Sequence, residues 1–240
     1  LFPFQRDLVM WGLRRGRAAV FADTGLGKSG MQVAWADSVS HYTSGDVLIL
    51  APLAVAAQTV AEGVACGVEV TLCRDGADVR PGVNITNYDR IHRFDASRFS
   101  GVVLDESSCI KHHEAKTLAI LMDAFSSLPF RFCATATPAP NDWTELGTHA
   151  EFLGVCTRAE MLAEFFCHDG GETQTWRLKG HARTAFWRWV SSWGAMVRKP
   201  SDIGYDDAGY DLPPIEVVSR TVPTDAATLR EGGVLFAQEA

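Results

Sequence analysis

Ala22-Asp23-Thr24-Gly25-Leu26-Gly27-Lys28-Ser29 follows an apolar run, Ala18–Ala22, and opens an amphipathic stretch, Ser29–Ser38. A glycine-rich turn between a strand and a helix aims backbone N–H groups and a helix N-terminus at one point, the geometry that cradles a phosphate. In this pattern Thr24, Gly25, Leu26 and Gly27 form the cradle. Lys28 reaches the β- and γ-phosphates of a nucleotide as a point charge, and Ser29 ligates Mg²⁺. Ala22 stands where the strict pattern has glycine. The alternative is a glycine turn that only joins the two elements.

Outward from this loop the chain keeps the same rhythm. Apolar runs at Val47–Leu50, Val68–Leu72, Val83–Thr86, Gly101–Leu104 and Arg131–Ala134 alternate with helical patterns at Ala54–Glu62, Ala115–Phe125 and Trp143–Phe152. Strands that are apolar almost throughout suit a parallel sheet covered on both faces, and the alternation implies right-handed crossovers in an α/β fold. The run Gly101-Val102-Val103-Leu104 ends in Asp105-Glu106, which leaves two carboxylates at the strand's carboxyl end, where open α/β sheets bind ligands. Asp105 there holds Mg²⁺ directly or through water, and Glu106 orients and deprotonates an attacking water.

Composition narrows the alternatives. The chain has 240 residues, 47% apolar and 21% charged, which excludes disorder, collagen and coiled coil. The longest nearly apolar run, Val47–Ala57, is too short to span a bilayer, and no signal peptide opens the chain. Its first residue, Leu1, suggests a piece of a longer polypeptide. Six scattered cysteines without a CxxC pair point to a reducing cytoplasm. The net charge of −7 argues against a broadly basic surface but leaves room for a local basic groove.

Five further stretches stand in a telling order: Leu1-Phe2-Pro3-Phe4-Gln5; Leu50-Ala51-Pro52-Leu53 with Gln58; Ile85-Thr86-Asn87-Tyr88; Asp105-Glu106-Ser107-Ser108 with Lys111; and Thr135-Ala136-Thr137-Pro138 with Asn141, Glu145 and Leu146. Together with the phosphate loop they resemble the motifs of superfamily 2 helicases and translocases, most of all the Swi/Snf-type double-stranded DNA translocases. The likeness covers residues 1–153 well and 195–215 loosely. It implies a RecA-like lobe that binds ATP and Mg²⁺, in which Gln5 reads the adenine. Pro52, Gln58 and Asn87 would face the nucleic-acid backbone, and Thr135 and Thr137 would couple hydrolysis to movement. It further implies a second RecA-like lobe after Pro213-Pro214, supplying an arginine finger. The partner would be DNA, double-stranded and bound with little sequence preference, in the cytoplasm: at the nucleoid, or in a host cell if the protein is viral. Ser108 stands where the family usually has His or Asp. Rival readings are another P-loop NTPase, such as a DNA-packaging motor, and a non-catalytic docking lobe.

Beyond Leu153 the rhythm changes. Residues 154–200 read as a helical insertion, broken at Asp169-Gly170-Gly171, with Phe186, Trp189/Val190, Trp193 and Met196/Val197 forming the packing face of one helix. Residues 201–214 read as an acidic loop, Ile215–Val222 as a strand, and 201–240 as a linker and the start of a second lobe. From Trp176 to Lys199 there are six basic residues (Arg177, Lys179, Arg183, Arg188, Arg198, Lys199) and no acid. Arg183 and Arg188 are therefore candidate phosphate contacts, against the plainer reading of a solvated helix face. His112-His113 reads as a turn, and the spacing of Cys156, Cys167, His168 and His181 fits no common zinc pattern.

Overall fold

The computed structural model describes residues 1–108, 114–169, 172–210 and 216–219. The chain divides into two units, Leu1–Tyr210 and Asp211–Ala240. In the second, residues 216–219 are exposed and form neither helix nor strand. Half of the expected strand Ile215–Val222 lies outside the described residues, as do Lys111, His112-His113 and Gly170-Gly171.

The first unit is built on seven strands: β1 (Arg17–Ala22), β2 (Asp46–Ala51), β3 (Val70–Leu72), β4 (Val83–Asn87), β5 (Phe99–Asp105), β6 (Phe130–Ala134) and β9 (Gly194–Val197). They pair in the order β3-β4-β2-β5-β6-β1-β9, and every pairing is parallel. The two-residue period of a strand divides its side chains between two cores. Ala18, Val20, Val47, Ile49, Val103 and Phe132 face one core. Ala19, Phe21, Leu48, Leu50, Val102, Leu104 and Cys133 face the other.

Helices α1 (Pro3–Arg15), α2 (Lys28–Thr43) and α3 (Ala56–Cys66) contribute to the first core. Of these, α1 is additional to the sequence reading: proline at its first position and Phe4, Leu8 and Val9 on its buried side mark it out. The second core takes in α4 (Glu114–Phe125), α5 (Leu146–Leu153), α6 (Arg158–Phe165) and α7 (Arg183–Trp193).

Two features correct the expected all-helical stretch 154–200. Phe166–Asp169 (β7) and Glu172–Leu178 (β8) form an antiparallel pair. The helix expected to run through Met196/Val197 stops at Trp193, and β9 adds a parallel edge strand beside β1. The reason lies at Gly194, whose backbone is extended; a Cβ there would sit 3.1 Å from the Phe21 ring and 3.4 Å from the Val190 carbonyl. A side chain at this point would press on the Phe21 ring, which would have to give by a few tenths of an ångström for β9 to close onto β1. Residues Phe186, Val190 and Trp193 are buried, as a packing face requires.

The acidic stretch after Lys199 begins with a 3-10 turn, Pro200–Ile203, and then returns to α1. The Tyr205 hydroxyl donates to Asp7, and the Tyr210 ring meets Phe4 edge-on at 5.3 Å.

Candidate nucleotide and nucleic-acid site

The turn after β1 is held by its own backbone and side chains. Thr24 N–H donates to Asp23 Oδ1 (2.7 Å), and Leu26 N–H to the Asp23 carbonyl (3.3 Å). Gly25 and Gly27 have φ of +86° and +75°, left-handed values that other residues adopt at a cost. Open space surrounds the Cβ position of Gly25, whereas that of Gly27 would collide with the Gln5 side chain. Lys28 Nζ donates to the carbonyls of Ala22 (3.1 Å) and Asp23 (3.4 Å), so the ammonium lies against the loop. Gln5 is buried and clamps the loop from α1. Its Nε2 donates to the Leu26 carbonyl (2.9 Å), and its Oε1 accepts from Phe2 N–H (2.9 Å).

Two strands away, β5 delivers Asp105 and Glu106 to the same carboxyl edge. Asp105 is 3% exposed. Its Oδ1 accepts from Gln32 Nε2 (2.6 Å) and from Glu106 N–H (3.0 Å), while Oδ2 has no partner among the described residues. Gln32, fully buried on α2, likewise leaves Oε1 unpaired. Burial pushes the Asp105 carboxyl above the usual carboxylate range, the Gln32 hydrogen bond pulls it back, and the Glu106 charge adds to the rise. Sequence reasoning missed Gln32, although a glutamine among Met31, Val33 and Trp35 marks a polar demand inside an apolar face.

Glu106 has φ of +48°, a left-handed conformation that is strained for a non-glycine residue. It turns the chain sharply at the strand's end, and its Oε2 accepts from Thr135 Oγ1 (3.1 Å). Thr135 Oγ1 in turn accepts from Thr137 N–H (3.2 Å). The hydroxyl thus joins the turn after β5 to the loop after β6. Asn141 Nδ2 donates to Glu145 Oε1 (2.9 Å) further along that loop. Behind the turn, Ser107 Oγ lies 3.0 Å from His149 Nε2 on α5, both residues fully buried. No local pattern announces that pair, because 42 residues separate its members.

The donor set fits a nucleotide with a hard divalent cation. The turn after β1 offers backbone N–H groups and an ammonium suited to phosphates, and Asp105, tied to Gln32 of α2, offers a buried carboxylate oxygen without a partner among the described residues. One consequence tests the electrostatics without any ligand. A carboxyl whose folded pKa is raised costs stability above that pKa and nothing below its unfolded value, 3.8. Asp105→Asn should therefore stabilise the ligand-free chain at neutral pH, with the gain vanishing as pH falls toward 4. Urea melts across a pH series check this; an Asn variant less stable than the parent at pH 7 contradicts the assigned environment.

No protein-family profile matches the chain, and no curated protein matches it. Solved structures do. The UvsW helicase of bacteriophage T4 superposes with a TM-score of 0.53 at 18% identity, over 65% of this chain and 57% of UvsW. The Hef helicase domain of Pyrococcus furiosus gives 0.52 at 18% identity, over 63% of this chain and 35% of Hef. The fold is RecA-like. At 18% identity the likeness is one of architecture.

On this RecA-like lobe two of the remaining expected residues, Pro52 and Asn87, stand at the carboxyl ends of strands, and the others lie on helices. Pro52 after β2 and Asn87 at the end of β4 line one groove of about 410 Å³ with Tyr88, His92 and Thr117. Asn87 is 7% exposed, and its Oδ1 has no partner among the described residues. Gln58 is exposed on α3 and is not among the residues lining that groove. Arg183 and Arg188 are both exposed on α7. They do not form one strip, because five residues of α-helix turn side chains by about 140°. Among the described residues no helix is long and apolar enough to cross a membrane.

Proposed function

We propose that this chain is the ATP-binding lobe of a nucleic-acid motor of superfamily 2, of the Swi/Snf-like kind that translocates on double-stranded DNA. One observation carries the reading: the Thr135 hydroxyl bridges Glu106 and Thr137, so the carboxylate suited to activating water is wired to a neighbouring loop. A bare nucleotide-binding lobe has no need of that link. The order of sites along the edge supports it, since the phosphate loop follows β1, Asp105-Glu106 follows β5, and the Pro52–Asn87 groove lies beyond at β2 and β4. The motif resemblance and the helicase folds of the structural neighbours point the same way.

In this reading Lys28 holds the β- and γ-phosphates, and Ser29 with Asp105 holds Mg²⁺. Gln32 keeps the Asp105 carboxylate turned toward that position. Gln5 retains one N–H on Nε2 and one lone pair on Oε1, the donor and acceptor an adenine edge requires. Glu106 takes the proton from the attacking water. Mg²⁺, when bound, neutralises charge on the phosphates during transfer. Contacts to DNA from Pro52, Gln58 and Asn87 go to the backbone, so binding is sequence-tolerant and weakens with salt. A second RecA-like lobe supplies the arginine that completes the site, worth about 10³–10⁵ in rate. Cysteines scattered along the chain without a CxxC pair suit a cytoplasmic setting for such a motor.

The test is nucleotide selection and turnover by the 240-residue chain. Calorimetry with Mg²⁺ and a non-hydrolysable analogue should show adenine bound in preference to guanine, through Gln5. Hydrolysis should be slow with or without duplex DNA, because the arginine of the second lobe is absent from this lobe. Equal affinity for both bases points to another class of P-loop NTPase, and brisk DNA-stimulated turnover by this chain alone overturns the two-lobe assignment.

A further inference from the structure

A second concave surface lies away from the phosphate loop. Trp143, in the 3-10 turn that precedes α5, meets Trp187 of α7 edge-to-face at 4.9 Å between ring centroids. Leu178, Lys179, Gly180 and Arg183 complete a groove of about 370 Å³. Trp143 is 46% exposed, so much of its indole faces water. Trp187 lies off the buried Phe186–Val190–Trp193 face and shares its side of α7 with Arg183, four residues earlier. The helix α7 feeds the parallel strand β9, so its first residues lie at the carboxyl edge of the sheet, the edge that also carries the phosphate loop.

The charges around the groove have one sign on the α7 side. No carboxylate pairs with Arg183 among the described residues, and Trp176–Lys199 contains no acid. Lys179 is committed elsewhere, donating to the Ala163 and Glu164 carbonyls at the end of α6. The nearby Asp142 carboxylate is turned to its own 3-10 turn, where it accepts from Thr144 N–H. What remains free is an aromatic surface beside one guanidinium. A planar ring stacks on such a surface and an anion pairs with the neighbouring cation.

We infer that the Trp143–Trp187 groove binds unpaired nucleotides of a single nucleic-acid strand, one base stacking on Trp143 and a neighbouring phosphate meeting Arg183. A duplex cannot use it in the same way, because its base faces are already stacked. The inference rests on nucleic acid being the partner of this lobe. It adds a place for unpaired nucleotides, apart from the Pro52–Asn87 groove.

Fluorescence anisotropy with labelled oligothymidine, an abasic strand of equal length and a matched duplex, each titrated with the 240-residue chain over a salt series, tests this. Trp143→Ala should weaken oligothymidine binding about 5- to 100-fold, the loss that one stacked base represents, and leave the duplex unaffected. Trp143→Phe should restore most of it. The abasic strand should bind the parent about as weakly as oligothymidine binds Trp143→Ala. Arg183→Glu should weaken binding to the strand and flatten its salt dependence by about one phosphate. Far-UV circular dichroism shows whether each variant is folded, and exposure of Trp143 makes its truncation mild. Unchanged oligothymidine affinity in folded Trp143→Ala overturns the inference, as does equal affinity of the parent for the abasic strand. A change in sedimentation mass without a change in affinity makes the groove a protein contact and also overturns it. Duplex binding without oligothymidine binding removes this inference alone, whereas absence of both removes the motor reading with it.

Discussion

Glu106→Gln should keep nucleotide affinity and lower turnover about 10²–10⁴-fold, the range that a positioned general base contributes. The side chain stands at the end of β5 in a left-handed conformation, with Oε2 accepting from Thr135. A glutamine has the same size and still presents an oxygen to that hydroxyl, so the strained turn and the bridge to Thr137 survive. Only the capacity to take a proton is lost. Affinity measured by calorimetry should hold, while phosphate release under single-turnover conditions should fall. A parent-like rate would remove Glu106 from the proposed chemistry. A joint collapse of affinity and rate would instead assign it to holding the site together.

The order of the fold was legible because a parallel sheet buried on both faces needs strands that are apolar almost throughout, and Val47–Leu50 or Gly101–Leu104 have no other use for such composition. That the glycine turn at Asp23–Gly27 and the acids Asp105-Glu106 stand at strand ends was legible for a related reason: each is local, a few consecutive residues. Long-range partners were not. Gln32 and Asp105 are 73 residues apart, and Ser107 and His149 are 42 apart. Their pairing exists only once α2 and α5 have packed on opposite faces of the sheet.

The stretch 154–200 misled for two separate physical reasons. In β7 and β8 the hairpin signal was present, since Gly170-Gly171 stands between two short runs with aromatic and β-branched residues, but it reads equally well as a helix break. At β9 the apolar spacing of the preceding helix continues through Met196 and Val197, so periodicity alone carries the helix too far. The decisive residue is Gly194, and its meaning depends on the Phe21 ring across the sheet. Tertiary contact overrode a local pattern there. The same dependence separates Arg183 from Arg188: adjacent in a count of basic residues, they project from different sides of one helix, and only Arg183 lines the aromatic groove.

Lys28→Ala should weaken ATP binding about 10- to 100-fold. A hydrogen bond to a charged group contributes about 1.5–3 kcal/mol, and 1.4 kcal/mol is tenfold in affinity. Nζ rests on the Ala22 and Asp23 carbonyls, so the ammonium already lies against the loop and, in the proposed site, would exchange those acceptors for phosphate oxygens. The lysine is only partly buried and bonds to backbone atoms on a loop that Gln5 holds from the other side. Truncation should accordingly leave the melting temperature nearly unchanged. The informative comparison is across nucleotides of growing phosphate length. AMP ends before the positions Lys28 reaches, so parent and variant should bind it alike; ADP should show part of the loss and ATP all of it. Titration of the three nucleotides into both proteins with Mg²⁺ gives the result directly. A loss of equal size for AMP would mean that Lys28 shapes the loop as a whole rather than meeting the β- and γ-phosphates. No loss with ATP would leave the glycine turn as a mere joint between β1 and α2.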